Sequence, residues 1–208
     1  MDLQYFGGNC VVLTDKGIRV AIDDTLAELG LKSVTKQGDV ALFTSSHAAP
    51  AAELRLFVDM PGEYEVSDLS IVGIAARSHM DEPNTLAATM YKIVADDTTY
   101  LFTGGIYPEL NDEQLEAIGM VDVMVVPVGG NGYTLDAGGA LQLVKAIEPK
   151  VVVPVHYDDS AITYPVAQQP FETVLKNLGM EVHETTGKFR FKPAEAGATT
   201  QLVVLSRS

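Results

Sequence analysis

Two short runs most constrain what this chain can fold into: VDVMVV at 121–126 and VVVPV at 151–155. A strand that is apolar at nearly every position has no water-facing side, so each run must be covered on both faces. The residues around them supply helices for that cover. A helix is predicted over Leu135–Ile147, N-capped by Thr134 and ending before Pro149. Gly138 and Gly139 weaken it or allow close packing. A shorter helix over Asp112–Ile118 follows Asn111 and is closed by Gly119, and a third starts at Pro170 and stops at Gly179.

The first hundred residues carry β signals instead. Strands are predicted at Leu3–Phe6, Val11–Thr14, Ile18–Ile22, Val40–Phe43, Leu54–Val58, Tyr64–Val66, Leu69–Ala75, Thr89–Val94 and Thr99–Phe102, with turns such as Asp15-Lys16-Gly17 between them. Short strands are also predicted late, at Glu181–His183, Lys188–Phe191 and Leu202–Leu205. Many strands followed by βα units give an α/β expectation: two β-sheets faced by helices, in one domain over residues 1–208.

Charge and cysteine content narrow the function classes. With 28 acids against 14 bases the formal net charge is -14. That disfavours nucleic acid and anionic membrane as partners, since both need clustered Lys and Arg. No apolar run approaches the roughly 20 residues of a membrane helix, and MDLQYFGG lacks the regions of a signal peptide. The single cysteine, Cys10, sits in an apolar run and reads as a packed thiol; it excludes an internal disulfide and a Cys-rich zinc site. These features lead to the expectation of a cytoplasmic protein.

Three of the four histidines follow strand-like segments: His47, His79 and His156. Singly, each reads as an ordinary structural histidine. Together they sit where rigid strands aim loop residues into one cleft, and three His plus a water make a complete zinc site. Asp81 would add a carboxylate. Asp23 and Asp24 would face the same cleft, and Tyr157 and Asp158 would orient the ring of His156. His183 lies in the polar alternation of a strand. Ser45 and Ser46 beside His47 suggest a nucleophile–base pair only weakly, because no orienting Asp is identifiable. Gly129-Gly130-Asn131-Gly132 lacks the Lys and Ser/Thr of a phosphate-binding P-loop.

The pieces LQYFGGNC, IDD, DVALFTSSH, PGEYEV, LFTGG, NDEQLEAIGMVDVMVVPVGG, TLDAGGA and IEPKVVVPVHY run nearly end to end. They resemble the metallo-β-lactamase superfamily, in the branch of small cytoplasmic zinc-dependent hydrolases related to ascorbate-6-phosphate lactonase. The resemblance implies an αββα sandwich of two mixed β-sheets flanked by helices. It also implies a metal motif, T-H-x-H-x-D-H, that this chain has largely lost. Thr44 and His47 remain, but Ser45, Ala49 and Pro50 stand at the first His, the Asp and the last His. Phe102-Thr103-Gly104-Gly105 replaces H-L-G-D, whose Asp bridges the metals, and Gly7-Gly8-Asn9-Cys10 replaces G-H-x-C.

Ala, Pro and Gly side chains cannot ligate a metal, so the ordinary dinuclear centre is not expected. The reading is a metal-dependent hydrolase of a lactone, ester or phosphodiester whose incomplete site holds at most one ion, zinc or else manganese or iron, on His47, His79 and His156. The alternative is a catalytically inactive member with no metal, acting as a binding or assembly module. The partner is a small molecule in the first case, and by analogy the chain would form a homo-oligomer.

Overall fold

Within the stretch Val123–Pro127 the side chains alternate between two buried environments. Val123 and Val125 join one apolar cluster, and Met124 and Val126 join another. This is the two-sided burial that a strand without a polar face requires. The computed structural model describes residues 1–208. Its strands and helices are β1 (Asp2–Gly7), β2 (Cys10–Asp15), β3 (Ile18–Ile22), β4 (Val40–Leu42), β5 (Leu56–Val58), β6 (Gly62–Val66), β7 (Leu69–Ala76), β8 (Ala88–Ala95), β9 (Thr98–Phe102), α1 (Asp112–Ile118), β10 (Val123–Pro127), α2 (Ala137–Ile147), β11 (Val151–Val155), α3 (Phe171–Leu178), β12 (Val182–Thr186) and β13 (Gln201–Leu205).

The strands form two mixed sheets. One has the order β1-β2-β3-β4-β5, antiparallel through β3 and parallel from β3 to β5. The other has eight strands in the order β12-β13-β11-β10-β9-β8-β7-β6; it is parallel from β12 to β9 and antiparallel from β9 to β6. Leu3, Tyr5, Leu13, Val20, Ile22 and Leu42 of the small sheet share a core with Ile71, Tyr91, Ile93, Val125 and Val153 of the large one. Residues of opposite parity in the large sheet, including Met90, Leu101, Met124 and Val152, face the helices through Ile118, Leu143, Val144, Val174 and Leu178. All three α-helices therefore cover the outer face of the large sheet. The first half of the chain has only a 3-10 turn, Leu26–Leu29. No helix is long and apolar enough to cross a membrane.

Local chemistry accounts for the helix ends. Asn111 Oδ1 accepts from the Gln114 backbone N–H at 2.8 Å, and Gln114 Oε1 accepts from the Asn111 N–H at 3.0 Å, a reciprocal capping box. The second helix starts two residues later than its sequence suggests. Asp136, not Thr134, is the N-cap and accepts from the Gly139 N–H at 2.8 Å. Both can cap a helix, and Thr134 lines a cavity instead. The strand predicted at Lys188–Phe191 shrinks to an isolated bridge in which Phe189 exchanges two backbone bonds with Leu3.

Candidate functional site

Strand ends from both sheets converge on one edge of the sandwich, around a cavity of about 290 Å³. The β1–β2 turn contributes Asn9, the loop after β3 Asp23, the loop after β4 Thr44, Ser45 and His47, and the loop after β7 Ser78. Gly105 follows β9, Tyr133 and Thr134 follow β10, and His156 follows β11. Loops at one end of a rigid double sheet give a fixed frame for such a group.

His47 is held on three sides. Its ring stacks on Phe43 with centroids 4.4 Å apart and planes 13° from parallel. Its backbone N–H donates to Asp59 Oδ2 at 3.2 Å, and its Nε2 lies 3.5 Å from Glu28 Oε1. Ser46 Oγ donates to the same Asp59 carboxylate rather than to a histidine. Asp23 is buried and accepts two bonds of 2.7 Å from Thr44, one from its N–H and one from its hydroxyl. Burial pushes the Asp23 carboxyl up to about 6, against the opposing pull of those two bonds.

His156, directly after β11, takes a left-handed conformation, φ 57°. Its Nδ1 lies 3.2 Å from Gln168 Oε1, and its ring sits between Tyr133 and Tyr164, with centroids at 5.5 and 4.9 Å. Burial lowers its pKa to about 4, so the imidazole is neutral at pH 7. Donation from Nδ1 to the Gln168 carbonyl oxygen leaves Nε2 as an acceptor.

The structure corrects several expectations. His47 and His156 line the cavity, but His79 does not. The His79 N–H donates to the Gly105 carbonyl at 2.8 Å, and its Nδ1 is buried without a partner. Asp81 is not in the lining either; its Oδ2 is a second buried atom without a partner, and its carbonyl accepts from Arg77 Nε. No group of three or more His, Cys, Asp or Glu side chains is placed to hold a metal ion. His47 and His156 thus share the cavity while His79 and Asp81 stand outside its lining, and the residues present do not offer the ligand set of a two-metal centre.

The supporting residues also differ. Asp24 clamps the loop at 33–35, accepting from Ser33 Oγ, the Val34 and Thr35 N–H groups and Thr35 Oγ1 at 2.6–2.8 Å, and is not in the cavity lining. Tyr157 packs on Phe171, 4.4 Å between centroids, and Asp158 is exposed. Gln168, twelve residues beyond His156, orients that ring in their place. The sequence carries no local signal for Gln168, because a loop returns it to the strand end. Asp23 alone of the proposed supporting residues lines the cavity.

Two adjacent glycines at the cleft differ in the space around them. A Cβ added at Gly105 would meet only Thr134 Oγ1, at 3.5 Å. At Gly104, where φ is +59°, an added Cβ would collide with Thr44. Hence position 105 has space for a side chain, whereas Gly104 is required by its close approach to Thr44.

The model of a β-lactamase superfamily domain matches residues 2–156. A UPF0173 metal-dependent hydrolase of Salinibacter ruber is 38% identical over 82 residues, which is 39% of this chain and 32% of that protein. A UPF0173 metal-dependent hydrolase of Thermoplasma acidophilum is 43% identical over 49 residues, 22% of this chain and 21% of that protein. The matched stretches thus span a third or less of these curated relatives. A solved Thermotoga maritima structure, described as a Zn-dependent hydrolase of the metallo-β-lactamase superfamily, superposes with a TM-score of 0.77 at 22% identity, covering 99% of this chain and 98% of that one. A metallo hydrolase of Ignicoccus hospitalis gives a TM-score of 0.61 at 19% identity, covering 92% and 99%. At these identities the two structures speak to the fold alone.

Proposed function

This chain belongs to the β-lactamase superfamily, and we propose that its strand-end cleft binds a small molecule on protein side chains, without the two-metal centre of that superfamily. One observation carries this reading: the cleft retains His47, His156, Asp23 and a frame built from both sheets, yet no three candidate ligands meet in it. Two cations held close together need a bridging carboxylate to balance their charge. Glycine at 105 and alanine at 49 cannot supply one.

The direct test is metal analysis of protein purified without chelator, followed by thermal unfolding with zinc, manganese or iron added. The expected outcome is no stoichiometric metal and no stabilisation by any of the three. A stoichiometric ion that disappears in the His47→Ala, His79→Ala, His156→Ala triple variant would overturn the reading.

A second reading is favoured by the shared cavity of His47 and His156 and by the unpartnered Nδ1 of His79. It is a metal-dependent hydrolase, as the UPF0173 relatives are described, acting on a lactone, ester or phosphodiester with a single ion. Hydrolysis of such esters, dependent on that ion and lost in the triple variant, would establish it. Under either reading a homo-oligomer in the cytoplasm is the proposed state, which sedimentation and cell fractionation test.

A further inference from the structure

Several polar atoms around the cleft have no partner within the chain. Thr134 is 3% exposed, lines the cavity, and its Oγ1 makes no hydrogen bond. Asn9 Oδ1, from the opposite sheet, is also buried without a partner. Leaving a buried polar group unpaired is costly, so such atoms are normally satisfied by something. We propose that the occupant is a small uncharged polyol, about the size of a monosaccharide; the inference rests on the metal-free reading of the cleft and deepens it.

The lining decides the class. It contains no Lys or Arg, while Asp23 and Glu28 are both in it. A phosphate or carboxylate ligand would enter with nothing to neutralise it, inside a chain of net charge -14. Acceptors dominate instead: the Asn9 carbonyl oxygen, the two carboxylates and Nε2 of neutral His156 all call for a ligand rich in donors. Hydroxyls on the ligand donate to these and accept from Thr134, Ser45 and Ser78 in return.

Tyr133 adds an apolar wall. It is 42% exposed at the mouth and stands 5.5 Å from the His156 ring. A flat aromatic face beside a ring of hydroxylic partners suits a molecule with C–H groups on one face and hydroxyls at its edge. A volume of about 290 Å³ accommodates one sugar-sized ring and little more.

The test is titration of the purified protein with a panel of neutral polyols, D-glucose, D-galactose, D-arabinose and myo-inositol, followed by NMR chemical shifts and calorimetry. Glucose 6-phosphate, gluconate and glucosamine serve as anionic and cationic counterparts. At least one neutral polyol should bind saturably, and its anionic counterparts at least tenfold more weakly. Thr134→Val should weaken that polyol about tenfold, the effect of one buried hydrogen bond, whereas Thr134→Ser should retain it. No binding by any neutral polyol, tighter binding of the phosphate, acid or amine, or an unchanged affinity in Thr134→Val would each overturn the proposal. Metal content is measured on the same preparation. Failure to bind polyol in metal-free protein counts against this inference alone, whereas a stoichiometric metal counts against the reading beneath it.

Discussion

At the scale of single residues, the cleft is governed by two buried titratable groups with opposite pH dependence. Asp23 is raised to about 6 by burial, so its contribution is present at low pH and is lost as pH rises from the ordinary carboxyl range through 6. His156 is lowered to about 4, so its contribution is present above the ordinary imidazole value and is lost as pH falls from about 6.5 through 4. Each amounts to roughly 3 kcal/mol at 1.36 kcal/mol per pKa unit, and between pH 4 and 6 the two slopes oppose one another. Asp23→Asn removes one of them. Its unfolding free energy, measured with urea at successive pH values, should fall between pH 6.5 and 4 by roughly 3 kcal/mol more than that of the wild type. A variant profile parallel to the wild type would contradict this assignment. The sequence placed Asp23 beside the cleft but could not distinguish it from Asp24. Only the turn after β3 sends one carboxylate to Thr44 and the other to Ser33 and Thr35.

At the scale of elements, the ends of β10 and β11 are joined through a glycine. A Cβ at Gly129 would land on the His156 carbonyl oxygen and on Gln168 Oε1, the atom that orients the His156 ring. Gly129→Ala should therefore destabilise the protein by about 2 kcal/mol, the usual scale of overpacking. It should also shift the His156 imidazole resonances as Gln168 is displaced. Unchanged stability together with unchanged resonances would show that the strand ends can separate freely. The helix at Asp112–Ile118 was legible because its capping box is entirely local. The start of α2 was not, since Thr134 and Asp136 can both cap a helix. The choice falls to Asp136, the residue whose side chain reaches the Gly139 N–H, leaving Thr134 to the cavity.

At the scale of the whole molecule, an excess of acids acts on a fold held by two apolar cores. Self-repulsion at net charge -14 opposes compaction. Exposed pairs such as Lys16–Asp96 and Lys192–Glu195 contribute little, because water and salt screen them. Screening should therefore relieve more repulsion than it removes attraction. Raising sodium chloride from about 0.01 M to 0.15 M, which shortens the Debye length from about 30 to 8 Å, should raise the melting temperature. A fall would mean that the ion pairs outweigh the net charge. Sequence alone determined the kinds and order of most elements and the two-sided burial of the central strands, because periodicity and side-chain chemistry are properties of neighbouring residues. It also placed His47 and His156 at strand ends. Which side chains meet was decided only by the tertiary structure: it leaves His79 outside the cavity, brings Gln168 to His156, and turns Thr134 from a helix cap into an unpartnered hydroxyl. The cause is that the cleft is assembled from loops of both sheets far apart in the chain, and their conformations depend on contacts that no short stretch of sequence contains.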